Sequence, residues 1–420
     1  MLRYYFGIGL ANLRRSPALT ALMVVTLAVG VAASVSTLTI LRVMGGNPIP
    51  HKSERLLVPM PDNGPAPGFV PGMAPGDNQV TYRDAMAFLA SQQGIRRTAA
   101  FDVDGVLEDP GGSVPAQSVN ALAVTADYFP MFEVPFRYGG PWSAGDDQGK
   151  ARLIVLSRTQ SEKRFGNDDP VGRDLTYLGQ TFRVVGVLDT WNPLPRYTHL
   201  INGSGGTFNG EDALFIPLAT AVDLQLRNNG STSCHYETQP GYQNFLDSEC
   251  TWIQPWIEVA STADRARVRD WLDAYVAEQR RLGRLLRDVP PRLFDVMEWM
   301  EYLKVVRNDT RLAVWLSFGF LLLCLINTVG LLLAKFSVRA PEVGVRRALG
   351  ATKGEIFRQF LVEAGVVGLA GGALGLVLAI ACLAFITQQM RVLSMSATLD
   401  WPLLVLTFVL ALCASLLAGL

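Results

Sequence analysis

Four long apolar runs without charged residues constrain the fold of this chain more than any other feature. About 20 apolar residues in a helix cross the ~30 Å hydrocarbon core of a bilayer, and a helix in a water-soluble core rarely stays uncharged over that length. Each run therefore predicts a membrane-spanning helix. The four runs are Ala18–Leu41, Leu312–Ala334, Ala364–Ile386 and Trp401–Leu420.

The first run could instead be the apolar part of a cleaved signal peptide. It is much longer than the ~7–15 residues of such a region, which favours a retained span. Ser16 and Pro17 fit the N-cap and first turn of that helix. The residues before it predict a short helix on the cytoplasmic membrane surface, because four apolar residues share one helical face. These residues are Leu2, Phe6, Leu10 and Leu13.

Lysine and arginine in short flanking segments set the orientation of membrane helices, because they remain on the cytoplasmic side. Two segments are enriched in them, the one before the first span and the loop 335–363 between the second and third spans. We expect both segments in the cytoplasm, which puts residues 42–310 on the outer side of the membrane. The basic residues are Arg3, Arg14 and Arg15 in the first segment, and Lys335, Arg339, Arg346, Arg347, Lys353 and Arg358 in the loop.

These predictions divide the chain into three parts. Residues 1–41 hold the interfacial helix and the first span, and residues 42–310 form an extracytoplasmic domain. Residues 311–420 hold spans two to four with the cytoplasmic loop. The predicted fold class is a membrane protein with four transmembrane α-helices, one plus three, and a large α+β domain between helices 1 and 2.

The outer segment predicts both strands and helices. Runs of β-branched or large apolar residues bounded by turn residues predict strands. The strands are Ser118–Thr125, Arg152–Ser157, Thr181–Leu188, Leu214–Pro217 and Trp256–Ser261, and the helices are Tyr82–Gln92, Arg158–Phe165 and Ala263–Leu286. The amphipathic stretch Phe294–Arg307 runs directly into the second span, and we expect it to form a rigid helical stalk.

Cysteine positions fit an oxidising environment outside the membrane. Cys234 and Cys250 lie sixteen positions apart in the outer segment, where two such thiols are expected to pair. Two free thiols are the alternative interpretation. Cys324, Cys382 and Cys413 lie in predicted spans, where cysteine acts as a small apolar residue.

Several classes of chemistry find no support in the sequence. The pattern Gly-x4-Gly-Lys-Ser/Thr, which would cradle ATP phosphates, does not occur. His51, His199 and His235 lack metal-ligand spacing, and each is expected in a surface loop. The 37 basic residues balance 37 acidic ones, which argues against a nucleic-acid partner. We therefore expect no enzyme site and no cofactor of the chain's own.

Glycines at helical spacing mark the third span. Gly368 and Gly372 form one small-residue repeat, and Gly371 and Gly375 form a second that overlaps it. Glycine at every fourth position lets two helix backbones approach closely. The partner helix can belong to the same bundle or to a second copy, and the sequence leaves both open.

The loop between the second and third spans is the most informative segment. Pro341 can begin a short helix, and Glu342 lies near its N-terminus, where the helix dipole favours an acid. Arg346 and Arg347 lie near its end, where the dipole favours cations. The sequence therefore predicts a short amphipathic helix on the cytoplasmic face.

The remainder of this loop predicts a turn and a second helix. Gly350 fits a C-cap, and Thr352 with Glu355 fits a capping box at the start of the helix that leads into span three. A short helix presented in this way suits protein docking. Physical reasoning alone supports equally an interfacial helix lying on anionic lipid.

The same loop resembles the cytoplasmic signature of the MacB/FtsX family of ABC-type permeases. The family pattern is close to E-[IV]-G-[IV]-R-[RK]-A-[LI]-G-A, and Glu363 fits the acid found later in that signature. The outer segment is similar to the family's core domain as well, for example in 124–129 and 184–188. The matching loop residues are Glu342, Gly344, Val345, Arg346, Arg347, Ala348, Leu349, Gly350 and Ala351.

This resemblance implies a permease in a bacterial inner membrane, with its N-terminus cytoplasmic and its large domain periplasmic. It implies a homodimer, or a heterodimer with a related permease, that binds a separate cytoplasmic ABC ATPase, which itself binds the ATP. A periplasmic adaptor is a further partner in some members, and membrane lipid surrounds the spans. Export or extrusion of a substrate is one family activity; lipoprotein release and control of cell-wall hydrolases are others.

By resemblance, the matching loop residues form a coupling helix that docks on the ATPase. Arg346 and Arg347 then meet acidic residues, and Val345 and Leu349 fill an apolar groove. A membrane-anchored periplasmic sensor or scaffold without an ATPase is the alternative function. Family members usually carry a short tail after the last span, whereas this chain ends at Leu420, so the fourth span is short or the chain is cut.

Overall fold

The computed structural model describes residues 16–389, apart from residues 75, 110, 112, 113, 202–206, 209 and 210, together with residue 409. Two predictions lie outside these residues, namely the interfacial helix before residue 16 and most of the fourth span. The chain divides into two compact units. Residues Asn47–Val305 form an outer unit, and the residues on both sides of it in the sequence form a helical unit.

The described elements follow each other in this order. The first helix, α1, is Pro17–Gly45. The strands of the outer unit are β1 (Leu56–Met60), β2 (Val80–Thr81), β3 (Arg96–Glu108), β4 (Gln117–Val124), β5 (Phe136–Gly139), β6 (Leu153–Leu156), β7 (Asp174–Tyr177), β8 (Gln180–Leu188), β9 (Leu214–Pro217), β10 (Thr251–Glu258) and β11 (Arg292–Phe294). Its helices are α2 (Tyr82–Ala90), α3 (Tyr128–Met131), α4 (Ala144–Gln148), α5 (Arg158–Phe165), α6 (Leu218–Asp223), α7 (Tyr242–Leu246), α8 (Arg265–Arg281) and α9 (Val296–Tyr302).

The strands of the outer unit form one mixed sheet among the described residues. Its main path runs β11-β1-β10-β3-β4-β9-β6-β8-β5, with β2 on β10 and β7 beside β3 and β8. The β4–β9 and β6–β8 pairs are parallel, and the other pairs are antiparallel. This arrangement confirms the expected α+β architecture of the outer segment.

The middle of the sheet carries the core of the outer unit. Every residue of β10 is buried, including Trp252 and Trp256. Trp252 makes an edge contact with Phe101 of β3 at 4.8 Å between ring centroids, and Trp256 makes one with Phe132 at 5.4 Å. Large aromatic side chains that bury this much surface dominate the stability of a core.

Strand prediction succeeded where apolar runs were uninterrupted. The predicted strand at Leu214–Pro217 is β9 without change, and the predicted helix Arg158–Phe165 is α5. The longest strand, β3, went unpredicted because Asp102 and Asp104 interrupt its apolar pattern. Asp102 is nevertheless fully buried.

The expectation that every histidine lies on the surface is wrong for His199. Its side chain is buried, and its Nδ1 lies 3.4 Å from Oδ1 of Asp102 on β3. Nearby, Arg196 forms a buried ion pair with Asp212. Buried polar and charged side chains such as these are tolerated in a core because each lies close to a group of complementary charge.

The predicted stalk is also wrong, because no continuous helix runs from Phe294 to Arg307. Phe294 belongs to β11, and α9 covers only Val296–Tyr302. Lys304 adopts a left-handed backbone with φ of 52°, which interrupts the helix. Trp299 of α9 is fully buried in the core of the outer unit, so this helix belongs to the domain.

Cys234 and Cys250 form a disulfide that closes a surface excursion of the outer unit. Replacing both with alanine is expected to lower the free energy of unfolding of the outer unit by about 3 kcal/mol, because the opened loop gains conformational entropy in the unfolded chain. Denaturant unfolding followed by tryptophan fluorescence measures this change. The matched control is Cys382→Ala, which removes an exposed free thiol. Equal midpoints for all three proteins would refute the stabilising role.

The helical unit contains α1 and three further helices. These are α10 (Asn308–Val338), α11 (Ala340–Ala348) and α12 (Lys353–Gln389). Within the described residues, three helices are long and apolar enough to cross a membrane, namely α1, α10 and the part of α12 up to Ile386. They correspond to the first three predicted spans.

The glycines of α12 pack against α1 of the same chain. A Cβ atom added to Gly371 would lie 2.7 Å from a carbon of Leu27, and one added to Gly375 would lie 2.8 Å from Cβ of Val31. Gly368 and Gly372 are buried too. The second glycine repeat therefore serves a contact within the bundle.

Gly375→Leu is expected to disrupt the contact between α1 and α12, because the new side chain overlaps Val31 and the backbone oxygen of Ala28. Overpacking of this kind costs about 1–3 kcal/mol. The expected result is a lower thermal midpoint in detergent, measured by intrinsic fluorescence. Gly330→Leu is the control, because the space around Gly330 on α10 is open. Equal losses in both variants would contradict the packing assigned here.

Candidate functional site

In the loop between α10 and α12, the capping residues determine where α11 begins and ends. Pro341 lies in the first turn of α11 with Glu342, and Arg346 and Arg347 lie in its last turn. These charges complement the helix dipole at both ends. Gly350 has φ of 101°, a backbone conformation that favours glycine and ends the helix.

The next helix begins at a reciprocal cap. The backbone N–H of Glu355 donates to Oγ1 of Thr352 at 3.3 Å, and the backbone N–H of Thr352 donates to Oε2 of Glu355 at 3.0 Å. This is the capping box that the sequence predicts. It fixes the direction in which α12 leaves the loop.

The C-terminal end of α11 is exposed and partly apolar. The side chain of Leu349 is 83% exposed and that of Val345 is 60% exposed. The side chain of Arg347 is also exposed, and its guanidinium makes no ion pair or hydrogen bond with any residue that the structure describes. We call Val345, Arg347 and Leu349, which lie in the last turn of α11 and at its C-cap, the exposed end of α11.

Most of the residues that match the family signature are exposed. Glu342, Gly344, Ala348 and Gly350 are exposed as well, whereas Arg346 and Ala351 are only half-exposed. The structure therefore brings seven of the nine residues to the surface of the loop.

Arg346 differs from Arg347 because it bonds within the chain. Its guanidinium donates to Oε1 of Glu342 at 2.6 Å and to Oε1 of Gln359 on α12 at 3.0 Å. Sequence reasoning treats the two arginines alike. The structure assigns Arg346 to the contact between α11 and α12, and leaves Arg347 available.

Sequence reasoning missed a buried ionic cluster at the two ends of this loop. Nζ of Lys335, in the last turn of α10, lies 2.6 Å from Oε1 of Glu363 on α12. Nη1 of Arg339 lies 3.2 Å from the other carboxylate oxygen. A signal existed, since a lysine at the inner end of one span and an acid early in the next can pair across a bundle.

Within the described residues, no group of three or more His, Cys, Asp or Glu side chains is placed to hold a metal ion.

Three helices of membrane-spanning length, and an α+β unit between the first two in sequence, define a multi-pass membrane protein with a large extramembrane domain. Two family descriptions match the chain: "MacB-like periplasmic core domain" over residues 20–275, and "FtsX-like permease C-terminal" over residues 314–420. The chain belongs to the MacB/FtsX family of ABC transporter permeases. It is accordingly an inner-membrane protein with a periplasmic domain.

Curated relatives carry the name "Macrolide export ATP-binding/permease protein MacB". The one from Salmonella paratyphi A is 25% identical over 327 residues, which are 76% of this chain and 44% of the relative. The one from Rhodopirellula baltica is 26% identical over 255 residues, 57% of this chain and 34% of the relative. The chain thus spans less than half the length of these relatives, and it matches their permease part.

Two solved structures are similar to part of this chain. The periplasmic region of MacB from Actinobacillus actinomycetemcomitans has 12% identity and a TM-score of 0.39, and the match covers 62% of this chain and 97% of that one. The extracellular domain of the ABC-type transporter YknZ from Gram-positive bacteria has 10% identity and a TM-score of 0.36, covering 57% and 100%.

Proposed function

We propose that this chain is the permease subunit of an ABC transporter and that a cytoplasmic ABC ATPase docks on the exposed end of α11. The observation that carries the proposal is the exposure of Val345 and Leu349 beside the unpaired Arg347. Apolar side chains at the centre of a contact, with an arginine beside them, are typical of protein-binding surfaces. The apolar pair would fill a groove on the ATPase, and Arg347 would meet an acid there.

A protein partner explains this loop better than a lipid surface does. Anionic lipid attracts segments in which basic residues are clustered without acids. Here Glu342 and Glu355 are exposed in the same loop as Arg347, Lys353 and Arg358. Mixed charges around an apolar centre suit a partner with its own charge pattern.

ATP has to be bound outside the 420 residues, since they contain no phosphate-cradling Gly-x4-Gly-Lys-Ser/Thr pattern. In the proposed cycle, the ATPases of a permease dimer close on ATP and displace α11. Helices α1 and α10 lead in sequence into the outer unit and out of it, so they are the route by which movement reaches the periplasmic domain. The work done there is export or extrusion of a substrate, and the further partners are a second copy of this chain or a related permease, together with a periplasmic adaptor.

Purification of the full chain in mild detergent from its native host, followed by mass spectrometry, tests this proposal. A stoichiometric ABC ATPase is expected, and a co-purifying adaptor would favour export. Recovery of a homogeneous chain without an ATPase after crosslinking would contradict the proposal. That result would favour a membrane-anchored sensor or scaffold.

The two arginines of α11 give a more specific prediction. Arg347→Glu is expected to weaken ATPase binding about tenfold, because it replaces an attractive charge with a repulsive one. Arg346→Gln is the matched control and is expected to change binding much less, since Arg346 already bonds Glu342 and Gln359. Titration of the ATPase onto the reconstituted permease measures both. A larger loss for Arg346→Gln would contradict the assignment.

A further inference from the structure

Lys335, Arg339 and Glu363 form an ionic cluster inside the helical unit, and we call it the inner joint. Lys335 is 3% exposed and Glu363 is 0% exposed, with 2.6 Å between their charged atoms. Arg339 reaches both carboxylate oxygens of Glu363, at 3.2 and 3.4 Å. The single buried acid is therefore held by two cations from the end of α10.

Apolar side chains surround the inner joint. Leu332, Ala364 and Val367 are buried in one cluster, and the rings of Phe336 and Phe360 meet at 4.2 Å between centroids. Removing one partner from a buried ion pair leaves an uncompensated charge in such surroundings. A buried pair seldom stabilises more than well-packed apolar residues do, but it admits only arrangements in which both charges are matched.

The inner joint lies where all three long helices meet the loop. Lys335 lies in the last turn of α10 and Arg339 immediately precedes α11, whereas Glu363 lies one helix later, on α12. The ammonium of Lys335 also donates to Oγ1 of Thr20 on α1 at 3.4 Å. The cluster thus connects the start and the end of the segment 335–363, which contains α11. It also connects this segment to α1, α10 and α12.

We infer that the inner joint holds α11 rigidly to the bundle, so that a displacement of α11 moves α1, α10 and α12 as one body. Lys335 and Glu363 are then positioning residues, which act through α11 and need not touch the ATPase. Arg346 reinforces the same connection through Gln359. The transmission of movement from an ATPase to the bundle rests on the proposed function. The rigid attachment of α11 is a property of this chain alone.

The first experiment measures rigidity without any ATPase. A nitroxide label is attached at Ala348→Cys on the exposed surface of α11, in a full-length chain whose free cysteines are alanine, reconstituted in liposomes. Glu363→Gln is expected to increase label mobility clearly, and Glu363→Asp, which keeps the charge, is expected to restore most of the order. Equal spectra for all three proteins would overturn the inference, whether or not an ATPase binds.

The second experiment separates transmission from docking. With the co-purified ATPase, Glu363→Gln is expected to leave ATPase binding unchanged and to reduce permease-stimulated ATP hydrolysis about tenfold, a typical coupling effect. Glu363→Asp should recover the stimulation. Full stimulation by Glu363→Gln would contradict the inference, and so would loss of binding in a variant that is still folded.

Arg339→Gln keeps the experiment decisive if Glu363→Gln does not fold. It removes only the partly exposed cation and leaves the pair of Lys335 and Glu363 intact. An intermediate increase in label mobility is expected for this variant, and an unchanged spectrum would contradict the joint. If no ATPase co-purifies with the wild-type chain, that result contradicts the proposed function. It does not affect the test of the inner joint, because label mobility is measured without an ATPase.

Discussion

Leu349→Asp is expected to abolish binding of the ATPase to the reconstituted permease. Leu349, the C-cap residue of α11, is more exposed than Val345, and the substitution would bury a carboxylate in an apolar groove of the partner. A central contact of this kind is worth about 2–4 kcal/mol, so the dissociation constant should rise about 30- to 700-fold. Titration of the ATPase onto permease in nanodiscs measures the constant directly.

The matched control for this variant is Leu282→Asp. Leu282 is a leucine of the outer unit that is 61% exposed, so the chemical change is the same on another surface. Binding should remain at the wild-type level in the control. Unchanged binding in Leu349→Asp itself would remove α11 as the docking element. The thermal unfolding midpoints of both variants should equal that of the wild-type protein, which shows that the substitutions change binding and not stability.

Glu258→Ala is expected to destabilise the outer unit by about 3–5 kcal/mol, the usual effect of removing one partner from a buried ion pair. Its carboxylate is buried and lies 2.8 Å from Nζ of Lys52 and 2.9 Å from Nη1 of Arg96. Lys52 is buried too, and without Glu258 its ammonium keeps the carbonyl oxygens of Pro130 and Met131, at 3.3 and 2.7 Å, and only the more distant carboxylate of Glu133 at 3.6 Å. Denaturant unfolding followed by tryptophan fluorescence measures the loss.

Glu278→Ala provides the control for the buried pair. Glu278 lies on α8 and pairs with Arg281 on the protein surface, where solvent screens the interaction. Its unfolding midpoint should match that of the wild-type protein. A midpoint for Glu258→Ala that equals this control would show that the cluster around Lys52 does not stabilise the domain.

The features that local chemistry determines were predictable from the sequence. Apolar length alone located the three described spans, because the bilayer sets that length. Capping residues predicted the loop between α10 and α12, because Gly350 determines where α11 ends and the pair of Thr352 and Glu355 determines where α12 begins. These signals involve residues close together in sequence.

The features that depend on distant contacts were not predictable in this way. The interrupted helix at Lys304 follows from the packing of Trp299 into the sheet domain, and amphipathic spacing alone cannot reveal it. The pairing of Lys335 with Glu363 requires the rotation of α10 relative to α12, which no local pattern specifies. The different roles of Arg346 and Arg347 depend on which side of α11 faces α12.

Site-specific photocrosslinking from Leu349 in native membranes tests the central claim most directly. A photoreactive residue at this position should form a covalent adduct with an ABC ATPase, identified by mass spectrometry, whereas the same residue at Leu282 on the outer unit should not. Adducts from Leu349 that contain lipid alone, or proteins without a nucleotide-binding domain, would contradict docking on α11.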